Sequence, residues 1–485
     1  MSAEHLEARP GAYADSVTLM QITADVQRAD DVQAALIAMA TELNLGLAAT
    51  MGFQPPRDAG PNDLLVAIRA TDQSALARAK EAVDVALTAR PLNTGTAAEQ
   101  APRTTAAAVR ASGPGVALIS VPGRFAFAEA MDALDAGCDV MIFSDNVPVQ
   151  EEILLKDVAA ERDLLVMGPD CGTAVVGGVG LGFANAVAAG PIGVVAASGT
   201  GAQQVLCLLD DAGVGVSAAL GVGGRDLSAE VGGRSARAAL AALDADARTE
   251  LIVVVSKPPD PGVAAGLRDF AAGLTTPVQF AFVGSGAPDL TAAAETALRA
   301  LDVPVPAWPR WPGAPDRPRP GLLRGLFAGG TLCDEAMVIA TALLGPIRSN
   351  IPLAPGLRLA ALASVTAHSM IDFGDDELTA GRAHPMIDQS LRLERLATEA
   401  GDPSVAVFLL DVVLGHGAHA DPAAELAPAI AAARQRGGAA VVVSLIGARA
   451  DPQGLDRQAT ALQAAGAHVF GSNAAAARFA CELIS

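Results

Sequence analysis

The stretch Ile192–Val205, IGVVAASGTGAQQV, constrains the fold of this chain more than any other. An unbroken apolar run from Ile192 to Ala197 meets the small-residue turn Ser198-Gly199-Thr200-Gly201, and a helical pattern starts at once. A strand this uniformly apolar is covered on both faces, as strands of parallel sheets are. Where such a strand feeds a glycine turn and a helix N-terminus, backbone N–H groups point outward and the helix dipole favours negative charge. Many α/β crossovers share this form and bind nothing. Weight comes from a second turn of the same kind, Gly329-Gly330-Thr331, in the other half of the chain.

The composition agrees with layered α/β domains. At 485 residues the chain has room for about three domains of roughly 150 residues each. Hydrophobic residues make up 51% but aromatics only 3%, so Ala, Gly, Val and Leu fill the cores and helices can lie close on sheets. So few aromatics leave no stacking platform for nucleic acid. The formal charge of −20 opposes nucleic acid and anionic membranes, and makes any anionic substrate depend on local Arg, Lys or helix N-termini. Cys138, Cys171, Cys207, Cys333 and Cys481 are odd in number and widely spaced, which disfavours a disulfide framework or a zinc site. With no signal-peptide pattern and no long charge-free apolar run, a cytoplasmic protein is expected.

Residues 1–112 read as a small α+β domain and a linker: a strand from Ser16, a helix capped by Asp30 and Asp31 through about Leu43, a strand Asp63–Arg69 and a helix from Asp72 to about Thr88. Asn93–Ser112 reads as the linker. Strand and helix then alternate over 113–190, with strands at Val116–Val121, Asp139–Phe143 and Leu164–Met167, as in a parallel βαβ sheet whose ligands bind at the strands' carboxyl ends. The opening stretch begins a third unit, 191–302, continued by the strands Val216–Val222, Leu251–Ser256 and Val278–Val283. Seven prolines within Val303–Gly321 mark a linker. Residues 322–485 repeat the strand–glycine–helix logic, which points to an internal duplication or to two halves of a once separate pair. The expected class is therefore α/β, with several parallel-sheet flavodoxin- or Rossmann-like domains.

The six histidines are His5, His368, His384, His416, His419 and His468, so none lies between His5 and His368. Any histidine chemistry must come from the C-terminal third. The densest polar segment, His368–Asp388, sets five carboxylates beside Arg382 and His384. It could hold Mg²⁺ through oxygens, or Arg382 could clamp a carboxylate or phosphate while His384 moves a proton; the plain alternative is an acidic loop turned at Gly374 and Gly381. Cys171, after Gly168-Pro169-Asp170, is either a nucleophile near a helix N-terminus or a small buried thiol. Lys257 ends a strand and could neutralise a bound anion, or lie on the surface. Gly415 opens GHGAH, whose freed amides suit an anion; its two histidines lack a third metal ligand, and no metal is expected.

Arg9-Pro10-Gly11-Ala12-Tyr13, Met167–Gly172, Ser198–Gly201, Ser256–Pro259, Gly329–Thr331, Ile371–Asp388 and Leu410–Pro422 together resemble the FdrA family, relatives of succinyl-CoA synthetase with α-like and β-like ligase modules on one chain. The string DFGDD…GRAHPMID is the most specific piece. In the synthetase, two helix N-termini hold a phosphohistidine, and Thr200–Gln204 and Gly330–Asp334 match the starts of those helices. The resemblance therefore implies one phosphate cradle built from Ser198, Gly199, Thr200, Gly201, Gly329, Gly330 and Thr331. This chain departs from the synthetase in having no histidine in its α-like module, Ser256-Lys257 where an acidic residue steadies the phosphohistidine, no first glycine-rich CoA-domain turn and no nucleotide-grasp domain. The resemblance to a subunit of oxamate carbamoyltransferase implies a ureido acid and phosphate giving carbamoyl phosphate, within a complex of other subunits and in allantoin-type nitrogen catabolism. The alternatives are an acyl-CoA synthetase-like ligase acting with a partner, with CoA in the 113–190 sheet, and a non-catalytic anion-binding scaffold; the chain could also form a homo-oligomer.

Overall fold

A computed structural model describes residues 2–484 apart from 13, 15, 30, 57–58, 90–101, 114, 285, 360–364 and 380–381. Tyr13, Asp30, Gly381 and the first part of the expected linker thus lie outside the described residues. The chain divides into two compact units, one of Met1–Arg103 with Thr379–Ala383 and one of Thr104–Leu378 with His384–Ser485.

The first unit comprises β1 (Ala3–Arg9), α1 (Ser16–Gln27), β2 (Val32–Met39), α2 (Glu42–Thr50), β3 (Leu64–Ala70) and α3 (Gln73–Ala89). Its sheet runs β1-β3-β2 with both pairings antiparallel. Two expectations are corrected here. Ser16–Gln27 is a helix, not a strand, because Leu19, Ile22 and Val26 recur at helical spacing and are all buried. Val32–Met39 is a strand, not a helix. Its alanines conceal a period of two, with Ala35 and Ile37 packed in one core and Leu36 in another, so both faces of the sheet are covered.

The second unit opens with α4 (Thr105–Ser112), a helix where a linker was expected; Thr104 caps it, and Asp132 accepts the N–H of Ala106. A three-stranded parallel sheet follows, from β4 (Val116–Ile119), α5 (Gly123–Asp135), β5 (Asp139–Ile142), α6 (Val149–Glu161) and β6 (Val166–Met167). The hairpin β7 (Thr173–Val176) and β8 (Val179–Gly182) then joins the next sheet, which contains β9 (Ala189–Ala197), α7 (Gly199–Asp211), β10 (Val216–Gly221), α8 (Arg234–Ala245), β11 (Leu251–Ser256), α9 (Pro261–Ala271), β12 (Val278–Phe282) and α10 (Leu290–Ala300). Lys156 on α6 ties the two sheets, donating to Val222 O and Asp226 from a fully buried position.

The proline-rich segment docks on the C-terminal module. Its β13 (Arg310–Trp311) pairs antiparallel with the edge of the last sheet, and Asp316 takes a two-pronged ion pair from Arg434. That sheet is built from β14 (Leu322–Phe327), α11 (Gly330–Leu344), β15 (Ser369–Asp372), the short α12 (Asp376–Thr379), α13 (Ser390–Glu399), β16 (Val405–Val413), α14 (Pro422–Gly437), β17 (Ala440–Ile446), α15 (Leu455–Ala464), β18 (His468–Phe470) and α16 (Asn473–Glu482).

The two six-stranded sheets share one plan. The first runs β12-β11-β9-β10 and the second β18-β17-β16-β14-β15, each with its opening strand between the second and third strands of its own module. This is the flavodoxin-like order, and it puts a crevice at the carboxyl end of that opening strand. β9 leads into α7 there, and β14 into α11. The chain is α/β, and the repeated plan brings two helix N-termini to two switch points.

Asn473, at the start of α16, holds both of these helices. It is fully buried, its side-chain amide donates to Leu332 O and to Glu335 on α11, and its backbone N–H donates to Gln204 Oε1 on α7. Asn473→Leu removes the side-chain donors of a buried network and takes one partner each from Leu332 O and from Glu335 Oε2. Urea denaturation should show a loss of about 2–4 kcal/mol, against under 1 kcal/mol for an exposed change such as Leu343→Ala.

Candidate functional site

The first turns of α7 and α11 touch. Ser198, the N-cap of α7, accepts the N–H of Gly201 on its hydroxyl and donates to Thr331 Oγ1 at 2.7 Å. A Cβ on Gly329 would lie 2.8 Å from Thr200 side-chain atoms, and one on Gly201 would lie 3.0 Å from Thr331 Cγ2. Glycine at these positions is what lets the two N-termini approach. The structure thus brings together Ser198, Gly199, Thr200, Gly201, Gly329, Gly330 and Thr331.

Lys257 joins them from the end of β11. Its Nζ lies 3.4 Å from Asp334 Oδ2 on α11, and its side chain remains 44% exposed, so a cation stands at an accessible point beside the helix start. A Cβ on Gly330 would lie 3.0 Å from that Nζ and 2.7 Å from Asp372 Oδ2. Crowding alone would lower the Lys257 pKa, but Asp334 and Asp372 outweigh it and raise it, so the amine stays protonated. It is an anion partner rather than a nucleophile. Asp372, at the end of β15, is buried, and that burial, only partly offset by Lys257, pushes it up to about 7. Asp334 is raised by burial too, against the pull of Lys257.

Part of the second turn is already engaged from within. Asp411 on β16 accepts the N–H groups of Ala328 at 2.7 Å and Gly329 at 2.8 Å, while Arg392 on α13 donates to Asp411 O at 2.6 Å. Both side chains are buried, and the guanidinium lies 3.4 Å from Asp411 Oδ1. Among the described residues, no protein acceptor takes the N–H groups of Gly330, Thr331 and Leu332, the three orphan donors that open α11. These amides, those of Gly199 and Thr200 at the start of α7, which likewise meet no protein acceptor among the described residues, and Lys257 are the groups left to bind an anion.

The other expected residues fall elsewhere or differ in state. Arg382 is exposed and belongs to the Thr379–Ala383 segment of the first unit, whereas His384 belongs to the second. His384 is half-buried; its Nδ1 accepts the N–H of Met386 at 3.2 Å, and burial, then Arg392, push its pKa down to about 4. Cys171 is buried, and that burial pushes its thiol up to about 12. The N–H of Gly415 is taken by Gln453 Oε1, and its loop pairs with Ala184, so that amide is not free for an anion. Asp170 retains accessible surface, yet the surrounding protein and then Asp376 and Asp145 push it up to about 7. Among the described residues, no three His, Cys, Asp or Glu side chains gather as a metal site, and no helix is long and apolar enough to cross a membrane.

The CoA-ligase family profile matches residues 326–483, the module that carries α11, Asp372 and Asp411. Residues 1–103 match the heavy metal-associated domain of AllF. That segment contains no cysteine, so it lacks the thiolates by which soft metals are usually held. The uncharacterized protein YahF of Escherichia coli is 37% identical over 98% of this chain and 98% of its own length. The chain belongs to the YahF family. Its ligase modules are succinyl-CoA synthetase-like: the α subunit of succinate–CoA ligase from Aquifex aeolicus is 30% identical over 31% of this chain and 50% of that subunit. The α subunit of malate–CoA ligase from Methylorubrum extorquens is 26% identical over 35% of this chain and 62% of that subunit.

The raised Asp372 sets a pH test. Its folded pKa of about 7 exceeds the ordinary carboxylate value, so the folded state holds the proton more tightly. Its contribution to stability is fully present below about pH 4 and is lost as pH rises through 7. Asp372→Asn cannot ionise. Relative to the unsubstituted protein, it should gain on the order of 1–3 kcal/mol in urea denaturation between pH 5 and pH 8.

Proposed function

We propose that this chain is an acid–thiol ligase-type subunit whose twin helix N-termini bind the phosphate of an acyl phosphate. One observation carries the reading. At the meeting of α7 and α11, a protonated Lys257 stands beside the three unengaged amides of α11, at matching switch points of two flavodoxin-like modules. In a chain of charge −20, such local positive potential is what an anionic substrate requires. The succinate–CoA and malate–CoA ligase relatives support acyl, phosphate and thiol as the chemical class, with CoA placed on the β4–β6 sheet and the nucleotide step left to a partner. With no histidine between His5 and His368, the α-like module offers no phosphohistidine. Transfer would then be direct, the thiolate attacking the acyl carbon and phosphate leaving into the cradle, stabilised by Lys257 and the amides.

The same absence favours a second reading, the FdrA-type one. There phosphate is itself a substrate, attacking the carbamoyl carbon of a ureido acid to give carbamoyl phosphate and an amide. Both readings place phosphate at one site and differ in whether CoA is used.

Titration calorimetry of the full chain with inorganic phosphate, acetyl phosphate, carbamoyl phosphate and CoA tests this. Phosphate should bind, and Lys257→Met should weaken it at least roughly tenfold, the loss of one charge-assisted contact. Binding of CoA and acetyl phosphate selects the ligase; binding of carbamoyl phosphate without CoA selects the second reading. No heat with any phosphate compound would overturn both.

A further inference from the structure

We infer that Glu335 is a positioning residue for the anion site: with Gln204 it forms a reciprocal clasp between the two ligase modules that fixes where α7 and α11 begin. The inference rests on the reading of the α7–α11 meeting point as an anion site, and adds a control that acts on it from one helical turn away.

The clasp follows the internal repeat. Gln204 and Glu335 are each the sixth residue of their helix, α7 and α11, and so hold equivalent positions in the two modules. Gln204 Oε1 accepts the N–H of Asn473 at 2.8 Å, and Glu335 Oε1 accepts that of Leu290 at 2.6 Å. Asn473 and Leu290 are the first residues of α16 and α10, the helices that close the second and first modules. Each module's opening helix thus satisfies an orphan amide on the closing helix of the other. The hydroxyls repeat the pattern. Ser198 caps α7 and meets Thr331, the second residue of α11, at 2.7 Å. Ser472 caps α16 and meets Thr291, the second residue of α10, at 2.7 Å. Four helix N-termini therefore meet in two pairs. The α7–α11 pair leaves amides for an external anion, whereas the α10–α16 pair has Glu335 as an anion of its own.

Gln204 and Glu335 lie four residues, about 6 Å along the helix axis, from Thr200 and Thr331. Glu335, Gln204 and Asn473 are all buried, so a bond lost among them is not replaced by one to bulk water. Glu335 Oε2 also accepts Asn473 Nδ2 at 2.7 Å, the same amide that donates to Leu332 O at 3.0 Å. Both carboxylate oxygens face N–H donors. An ionised carboxylate serves both, while a proton on Glu335, or Gln in its place, sets a donor against a donor and shifts α11. The charged groups facing Glu335 are Asp289 at the cap of α10 and Arg478 on α16, which pair with each other; α7 contributes the uncharged Gln204. Burial pushes the Glu335 carboxyl up to about 7 despite its hydrogen bonds, so the clasp loses its charge as pH falls through neutrality.

Calorimetric titration of the full chain with sulfate, whose charge is constant from pH 5.5 to 8.5, tests the clasp. At pH 8.5 Glu335→Gln should bind sulfate roughly tenfold more weakly than the unsubstituted protein, and at pH 5.5 within roughly threefold of it. Asp372 titrates in both proteins and cancels in the comparison. The sign separates position from charge, because removing a nearby negative charge would by itself strengthen anion binding. Thr291→Val, nearly isosteric and away from the anion, should weaken sulfate binding roughly threefold at pH 8.5. Urea denaturation at each pH verifies that the variants fold. Tighter or unchanged binding in Glu335→Gln, or an equal loss at both pH values, would overturn the inference. If Glu335→Gln does not fold, Thr291→Val carries the test, and an unchanged affinity there overturns it. Sulfate binding that is weakened by Lys257→Met but by neither clasp variant overturns the clasp alone. No sulfate binding by the unsubstituted protein overturns the site reading and the clasp's role in it together.

Discussion

The second unit depends on two helix N-termini held in contact. Each helix start carries about half a positive charge, so α7 and α11 repel one another end to end, and Lys257 adds a full charge beside them. Chemistry on both sides offsets that cost. The Ser198–Thr331 hydroxyl bond and the cleared glycines let the turns close, Asn473 clamps the helices from behind, and Asp411, Asp334 and Asp372 supply negative charge around α11. Burial disfavours the ionised form of all three carboxylates, so their compensation is incomplete. The remaining positive potential lies where the amides of α11 are unengaged. An anion placed there would complete the electrostatics of the fold.

That site exists because the same topology occurs twice on one chain. Each ligase module places its opening strand between its second and third, so each offers a crevice at one strand end. Neighbouring strands deliver the side chains: β11 ends beside Lys257, β15 ends in Asp372, and β16 sends Asp411 under the second turn. The buried Arg392–Asp411 pair is worth little as a net source of stability, but removing either partner would strand a charge. Its evident consequence is geometric, since Asp411 fixes the backbone that leads into α11.

Much of the second unit was legible in the sequence because its signals are local. Unbroken apolar runs, glycine turns and helix caps lie within a dozen residues, and Ile192–Val205 and Gly329–Thr331 both became strand–turn–helix units. The first unit was harder. β-Branched residues in Ser16–Gln27 mimic a strand, and alanines in Val32–Met39 mimic a helix; only burial against partners distinguishes them. Lys257 was visible at a strand end and Asp372 as one carboxylate of the polar segment His368–Asp388, but their meeting across two modules was not. Arg392 gave no signal, because a single arginine on an amphipathic helix looks solvent-facing until the partner strand is known. The state of His384 depends on the Met386 amide, a contact that residue types alone do not encode.

The central claim is that the α7–α11 meeting point is an anion site completed by Lys257. Diffraction from crystals of the full chain grown with and without inorganic phosphate tests it most directly. The account predicts a tetrahedral anion within hydrogen-bond distance of the Gly330 and Thr331 amides and of Lys257 Nζ, and its loss in Lys257→Met crystals grown the same way. Phosphate seated elsewhere, or an unchanged anion in the Lys257→Met crystals, would contradict it.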